Sequence, residues 1–152
     1  MSDIESPNQF HANLCTKHIS QMKPPSSLNE YLLLSRGQWD PKKSPEEIQK
    51  AIDVFYAWYE RLVAEGTFKP GSRLAMDSKL VTLTGVIDGP FAESKEVIGG
   101  YWFVVAGSLD EAASIAAKNP TLACGLTYVI RPLERERGSA YRQSNETPSV
   151  NK

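Results

Sequence analysis

Four residue types that can move protons or hold anions lie within one short stretch: Asp88, Glu93, Lys95 and Tyr101. A carboxylate beside an amine and a phenol is a usable acid–base or anion-holding set once the site is shielded from water. Burial raises a carboxylate's pKa towards neutrality, where it transfers protons efficiently. Asp88 and Glu93 are therefore the candidate catalytic residues, and Arg36, Lys95 and Tyr101 the candidate ligand-binding ones. Reaction types that suit them are proton abstraction or elimination on a small organic acid or a lactone. The competing reading of Asp88-Gly89-Pro90-Phe91 is a turn: Asp accepts backbone hydrogen bonds, Gly frees φ, Pro fixes the next φ, and Phe91 anchors the loop. Glu93, Lys95 and Glu96 alone are a solvated loop, whose ion pairs contribute only ~0–1 kcal/mol.

Two further clusters need weighing. His11, Cys15 and His18 share one face of a helix at i, i+4 and i+7, and their ligand types suit zinc. No fourth ligand and no Cys-x-x-Cys pair accompanies them, so no metal is assigned and no cofactor is expected. Arg36, Trp39 and Asp40 follow an apolar run and suit an anionic ligand by guanidinium plus aromatic contact. The alternative places Trp39 at the edge of the core with the charges in water. No GxGxxG, GxxxxGK[ST], GxSxG or HExxH is present, so nucleotide binding and serine hydrolase chemistry have no sequence support.

The elements that must position these residues follow from pattern. Tyr31-Leu32-Leu33-Leu34 is a short apolar run typical of a central strand. Ser44 is placed to cap a helix, with Pro45 at its first position and Glu47 closing a capping box. Ile48, Ile52, Phe55, Tyr59 and Leu62 then form one face, and Gly66 sits where a C′ glycine is expected. Trp58 and Val54 lie off that seam, which points to the N-terminal segment or a second subunit as their contact. Leu80–Thr84 reads as a strand continuing through Val86-Ile87. Tyr101–Ala106 is a strand, Ser108 and Glu111 open a short helix that Asn119-Pro120 stops, and Thr127–Arg131 is the last strand. This order predicts an α+β fold of the ferredoxin-like β-α-β-β-α-β plan with an elaborated hairpin in its middle. Both helices would cover one sheet face. The bare face, with Trp102, Tyr128 and Ile130 expected to line it, would need a second copy of the chain as its cover.

The 152 residues fit one domain with extensions, divided as an N-terminal segment 1–29, a domain 30–135 and a tail 136–152. Phe10, Leu14, Cys15, Ile19 and Met22 fit a short amphipathic helix in the first segment. Hydrophobic residues make up 41% and charged residues 23% of the chain, enough for a core. With 17 basic against 18 acidic residues there is no basic stripe for nucleic acid. Arg131, Arg135, Arg137 and Arg142 are interrupted by Glu134 and Glu136. The two cysteines, Cys15 and Cys124, form no disulfide framework. Neither a secretory signal nor a run of roughly 20 apolar residues is present, so a cytoplasmic location and no membrane contact are expected.

Residues 88–103, Asp-Gly-Pro-Phe-Ala-Glu-Ser-Lys-Glu-Val-Ile-Gly-Gly-Tyr-Trp-Phe, resemble the signature of the YCII-related, DGPF-motif family. The likeness continues through Ser108–Ala112, Lys118-Asn119-Pro120 and Arg131-Pro132-Leu133, and covers about 30–135. It implies a dimeric α+β barrel with two sheets packed face to face. It implies little about reaction, since the family is defined more by fold than by activity. A His–Asp pair credited to the wider superfamily has no counterpart: His11 and His18 are the only histidines, and both precede the matching region. The family's frequent Glu two residues before the last-strand Arg is Val129 here. Three functions stay open on this reading: a small-molecule-binding or accessory dimer, an enzyme using Asp88 or Glu93, and a partner-docking module using residues 1–29.

Overall fold

The computed structural model describes residues 27–89 and 97–150. The N-terminal segment with His11, Cys15 and His18, and the stretch containing Phe91, Glu93 and Lys95, lie outside the described residues. Among the described residues, six strands and two α-helices follow one another as β1 (Asn29–Arg36), α1 (Pro45–Ala64), β2 (Phe68–Arg73), β3 (Lys79–Thr82), β4 (Gly85–Asp88), β5 (Ile98–Ala106), α2 (Leu109–Ala116) and β6 (Thr127–Pro132). A short 3-10 turn, Pro120–Cys124, precedes β6. This is an α+β fold. Four strands form an antiparallel sheet in the order β2-β5-β1-β6, and β3 and β4 form a separate hairpin. With that hairpin set aside, the elements run β-α-β-β-α-β.

Local chemistry explains the helix ends. Ser44 Oγ accepts from the Glu47 N–H at 3.2 Å, and the Ser44 N–H donates to Glu47 Oε2 at 2.8 Å, completing the capping box. That backbone hydrogen bond, with Lys43 nearby, holds the Glu47 carboxyl below its ordinary value. At the other end Gly66 turns left-handed, its N–H bonding Val63 O while Thr67 N–H reaches Leu62 O. These two bonds satisfy carbonyls the last turn would leave open, and they send the chain directly into β2. At α2, Ser108 Oγ takes the Glu111 N–H at 3.1 Å, and Glu111 returns a carboxylate to the Gly107 N–H at 2.8 Å.

Strand β2 is absent from the sequence reading, because Pro70-Gly71 looks like a turn. Both residues suit an edge strand that breaks register: pairing with β5 shifts between Lys69 and Ser72. Gly71 is obligatory there, since a Cβ would stand 1.8 Å from Tyr101 O. The single strand expected over Leu80–Ile87 is instead a hairpin turning at Leu83-Thr84, where Thr82 Oγ1 bonds the Gly85 carbonyl at 3.1 Å.

Register assigns each side chain to a face, because neighbours along a strand alternate. Tyr31, Leu33, Trp102, Val104, Ala106 and Phe68 are buried together with Phe55, Leu62, Ala112 and Ala116 of the two helices, so both helices pack on this one face. Phe55 lies parallel to Tyr59 at 5.8 Å and edge-on to Trp102 at 5.5 Å. Trp58 packs edge-on against Phe68 at 5.2 Å. Its contact is therefore β2 and the core, which the unrecognised strand had hidden. The expected lining of the bare face is likewise corrected. Trp102, Tyr128 and Ile130 sit on the helix side, since Tyr128 pairs with Ser35 and Ile130 with Leu33.

Candidate functional site

The sheet face turned away from the helices is read from the same registers. Leu32 pairs with Phe103 and Leu34 with Tyr101. Leu34 also pairs with Val129, and Glu30 with Val105. Its centre is thus Leu32, Leu34, Tyr101, Phe103, Val105 and Val129, all half-buried. Tyr101 meets Phe103 edge-on at 6.2 Å. Arg36 stands at one end of this face, opposite Thr127. Lys69 of β2 and Glu30 of β1 reach over the intervening strand to form an ion pair on it. Arg131, paired with Leu32, completes a mixed, mainly basic rim around an apolar floor.

Two of the sequence-predicted ligand residues, Arg36 and Tyr101, therefore share one surface. Tyr101 is placed there by the residue before it. Gly100 is buried, and a Cβ on it would meet the Trp102 ring at 2.7 Å. The indole of Trp102 thus lies over Gly100 on the helix side, while Tyr101 turns to the opposite face. This is a structural reason for the Gly-Gly-Tyr-Trp order. Val129 occupies the centre of the face, so the point where the family resemblance places a carboxylate is apolar.

Asp88 is elsewhere. It ends β4 in the separate hairpin, its side chain is 78% exposed, and it pairs with Lys79 across the hairpin. Gly89 N–H bonds Ser78 O at 2.7 Å, fastening the hairpin's base. Asp77, Ser78, Lys79, Asp88 and Gly89 line a shallow open depression. Two carboxylates, an amine and a hydroxyl meet there, in full contact with solvent. Glu93 and Lys95 lie outside the described residues, so only Asp88 of the two candidate catalytic residues is placed. Among the described residues no group of three or more His, Cys, Asp or Glu side chains is arranged to hold a metal.

A polar cluster that sequence reasoning missed stands behind the sheet. Asn119 Oδ1 accepts from Thr121 N–H at 3.0 Å and Thr121 Oγ1 at 2.7 Å, and Thr121 Oγ1 is 2.7 Å from Tyr128 OH. Asn119 and Thr121 are buried, tying the 3-10 turn to β6. The signal was the Asn-Pro-Thr order, which offers a cap, a first-turn proline and a hydroxyl together.

With fold and surface defined, the chain was compared with known proteins. The family model for the YCII-related domain matches residues 30–134. The chain belongs to the YCII-related family. A similar protein is an uncharacterised one of Rhizobium meliloti (strain 1021), 35% identical over 98 residues, covering 59% of this chain and 78% of that protein. The YCII-related domain thus contains both the sheet face turned away from the helices and the hairpin. No helix among the described residues is long and apolar enough to cross a membrane.

Proposed function

We propose that this YCII-related domain works as a homodimer in which the two sheet faces turned away from the helices meet, as in a dimeric α+β barrel. Between them they enclose a small, mainly apolar ligand with an anionic end. The observation that carries the reading is the face itself: an apolar floor of Leu32, Leu34, Phe103, Val105 and Val129, with Tyr101 beside Leu34 and Arg36 at one end. Sheets with one apolar face need a cover, and a self-complementary face is covered most simply across a two-fold axis. Arg36 and Tyr101 would supply charge-assisted and phenolic hydrogen bonds to an acid group, and the apolar floor would take the remainder of the ligand. The role is binding or accessory, in the intracellular setting its composition suggests. Sedimentation of the wild-type protein tests the assembly, and a monomer at micromolar concentration would refute it. A thermal-shift screen with small organic acids tests the ligand. Saturation at 100 times Kd adds ~2.7 kcal/mol of apparent stability, and Arg36→Gln should abolish that shift.

A second reading rests on the hairpin depression, where Asp88 stands with Asp77, Lys79 and Ser78. There Asp88 would serve as acid–base on a small organic acid or lactone; Glu93 and Lys95, its expected companions in the sequence, lie outside the described residues. Exposure works against it, because a solvated carboxylate is a weak base at neutral pH. Loss of a measured turnover in Asp88→Asn, with the fold unchanged, would favour this reading over the first.

A further inference from the structure

Within the sheet face turned away from the helices, one part differs chemically from the rest. Tyr101 and Phe103, two residues apart on β5, hold their rings edge-on at 6.2 Å with 80° between the planes. On the β1 side their neighbours are branched and aliphatic, since Leu34 pairs with Tyr101 and Leu32 with Phe103. On the β2 side Tyr101 pairs with Ser72, a small residue, and Phe103 with Lys69. The pairing breaks between those two positions, at Pro70-Gly71, and Gly71 has no side chain. The ring pair is thus flanked by bulk on one side and by little on the other. Among the described residues that register places on this face, Glu30 is the one carboxylate, and Lys69 engages it. Arg36 and Arg131 are the remaining charges there, both cationic.

We infer that the ligand of this face is an aromatic acid, its ring seated against Tyr101 and Phe103 and its carboxylate turned to Arg36. The inference rests on the acid-binding reading proposed above and names the class of acid it selects. An aromatic ring is negative on its face and positive at its edge. Two rings already set edge-on offer a face and an edge side by side, and a third ring extends the same arrangement. A saturated ring of equal size lacks that polarity and gains only by leaving water. Since that gain follows apolar area, it gives the aromatic ring no advantage over the saturated one. Discrimination between the two therefore reports the ring pair itself. The reach also suits a small acid. Arg36 lies two residues beyond Leu34, the partner of Tyr101, or about 7 Å along the strand. A guanidinium spans much of that distance, so ring and carboxylate are served within one molecule of benzoate to phenylpropionate length.

The test titrates benzoate, phenylacetate and phenylpropionate, and the matching cyclohexyl acids, into isotope-labelled full-length protein at neutral pH while backbone amide signals are followed. The aromatic member of each pair should bind about 2- to 12-fold more tightly, the gain of one added ring pair, with shifts centred on residues 32–36 and 101–105. Phe103→Leu should bring that ratio close to one, and Tyr101→Leu should lower it; circular dichroism checks that both fold. The wild-type ratio decides the question even where a variant does not fold. Equal binding, a preference for the cyclohexyl acids, or an aromatic preference that survives in both folded variants would overturn the aromatic class. With shifts still on these residues, the acid-binding face would then stand. Shifts confined to other residues, or none with either series, would overturn both.

Discussion

Replacing Gly71 by alanine tests the sheet's construction most sharply. Elsewhere a glycine-to-alanine change often stabilises by about 0.4–1 kcal/mol, because it restricts the unfolded chain. At position 71 the added methyl would stand 1.8 Å from Tyr101 O, 2.6 Å from Tyr101 C and 2.7 Å from Trp102 Cα. These are backbone atoms of the adjacent strand, and no rotamer relieves them. Ordinary contact needs more than 3 Å, so β2 would have to move from β5 by over an ångström. Overpacking of this kind costs about 1–3 kcal/mol, and each β2–β5 hydrogen bond lost adds about 1 kcal/mol. Displacing Phe68, which the same strand holds in the core, would add further loss. The expected result is destabilisation by about 3 kcal/mol or more, read from urea unfolding followed by tryptophan fluorescence. Gly138→Ala is the control, since nothing lies within 4 Å of the methyl it would add, and it should change stability by less than about 0.5 kcal/mol. A Gly71→Ala protein as stable as wild type would refute the close approach of β2 to β5.

Further predictions separate the two sheet faces and the helix caps. Leu33→Ala should cost about 3 kcal/mol at any protein concentration, as for a fully buried leucine. Leu32→Ala, one residue away on the other face, should cost less when dilute and, if the proposed dimer forms, more as concentration rises, measured by thermal melts in a dilution series. Ser44→Ala should lower stability by about 1 kcal/mol in the same unfolding assay. Glu47 is held below its ordinary pKa in the folded chain, so its contribution is fully present above about 4.5 and lost as pH falls through the lowered value. Glu47→Gln should accordingly flatten the acid side of the stability profile. Asp88→Asn should alter stability by no more than about 0.5 kcal/mol, because its ion pair is exposed.

Much of the framework was legible in the residues because local and global signals agree there. Ser44-Pro45-Glu46-Glu47 can start only one kind of element, and Gly66 stops it where the apolar seam ends. Strand β2 was not legible, because Pro70 and Gly71 are turn residues by local chemistry and acceptable strand residues only at an edge with broken register. The surplus of aromatic residues beside the α1 seam, Trp58 among them, was the available sign that a further strand lay beneath that helix. The facing of β5 was hidden for a different reason. Tyr101 through Ala106 is apolar at every position, so alternation gives no direction, and only packing on Phe55 and Tyr59 turns Trp102 inward. Arg36 and Tyr101 were recognisable as ligand types, but their common surface emerges only from the Leu34–Tyr101 register. Asp88 carried the strongest local motif, and the structure sets it on the hairpin, in solvent.

Pro70 and its neighbouring break in pairing also bear on how this protein avoids uncontrolled polymerisation. Strands β2 and β6 are the two margins of the sheet, and each carries a proline, Pro70 and Pro132. A proline offers no N–H, so an incoming strand finds an interrupted row of donors on either side. Growth by adding strand to strand, the route to fibres, is blocked at both margins. The proposed association through the broad faces, by contrast, can end at a finite particle.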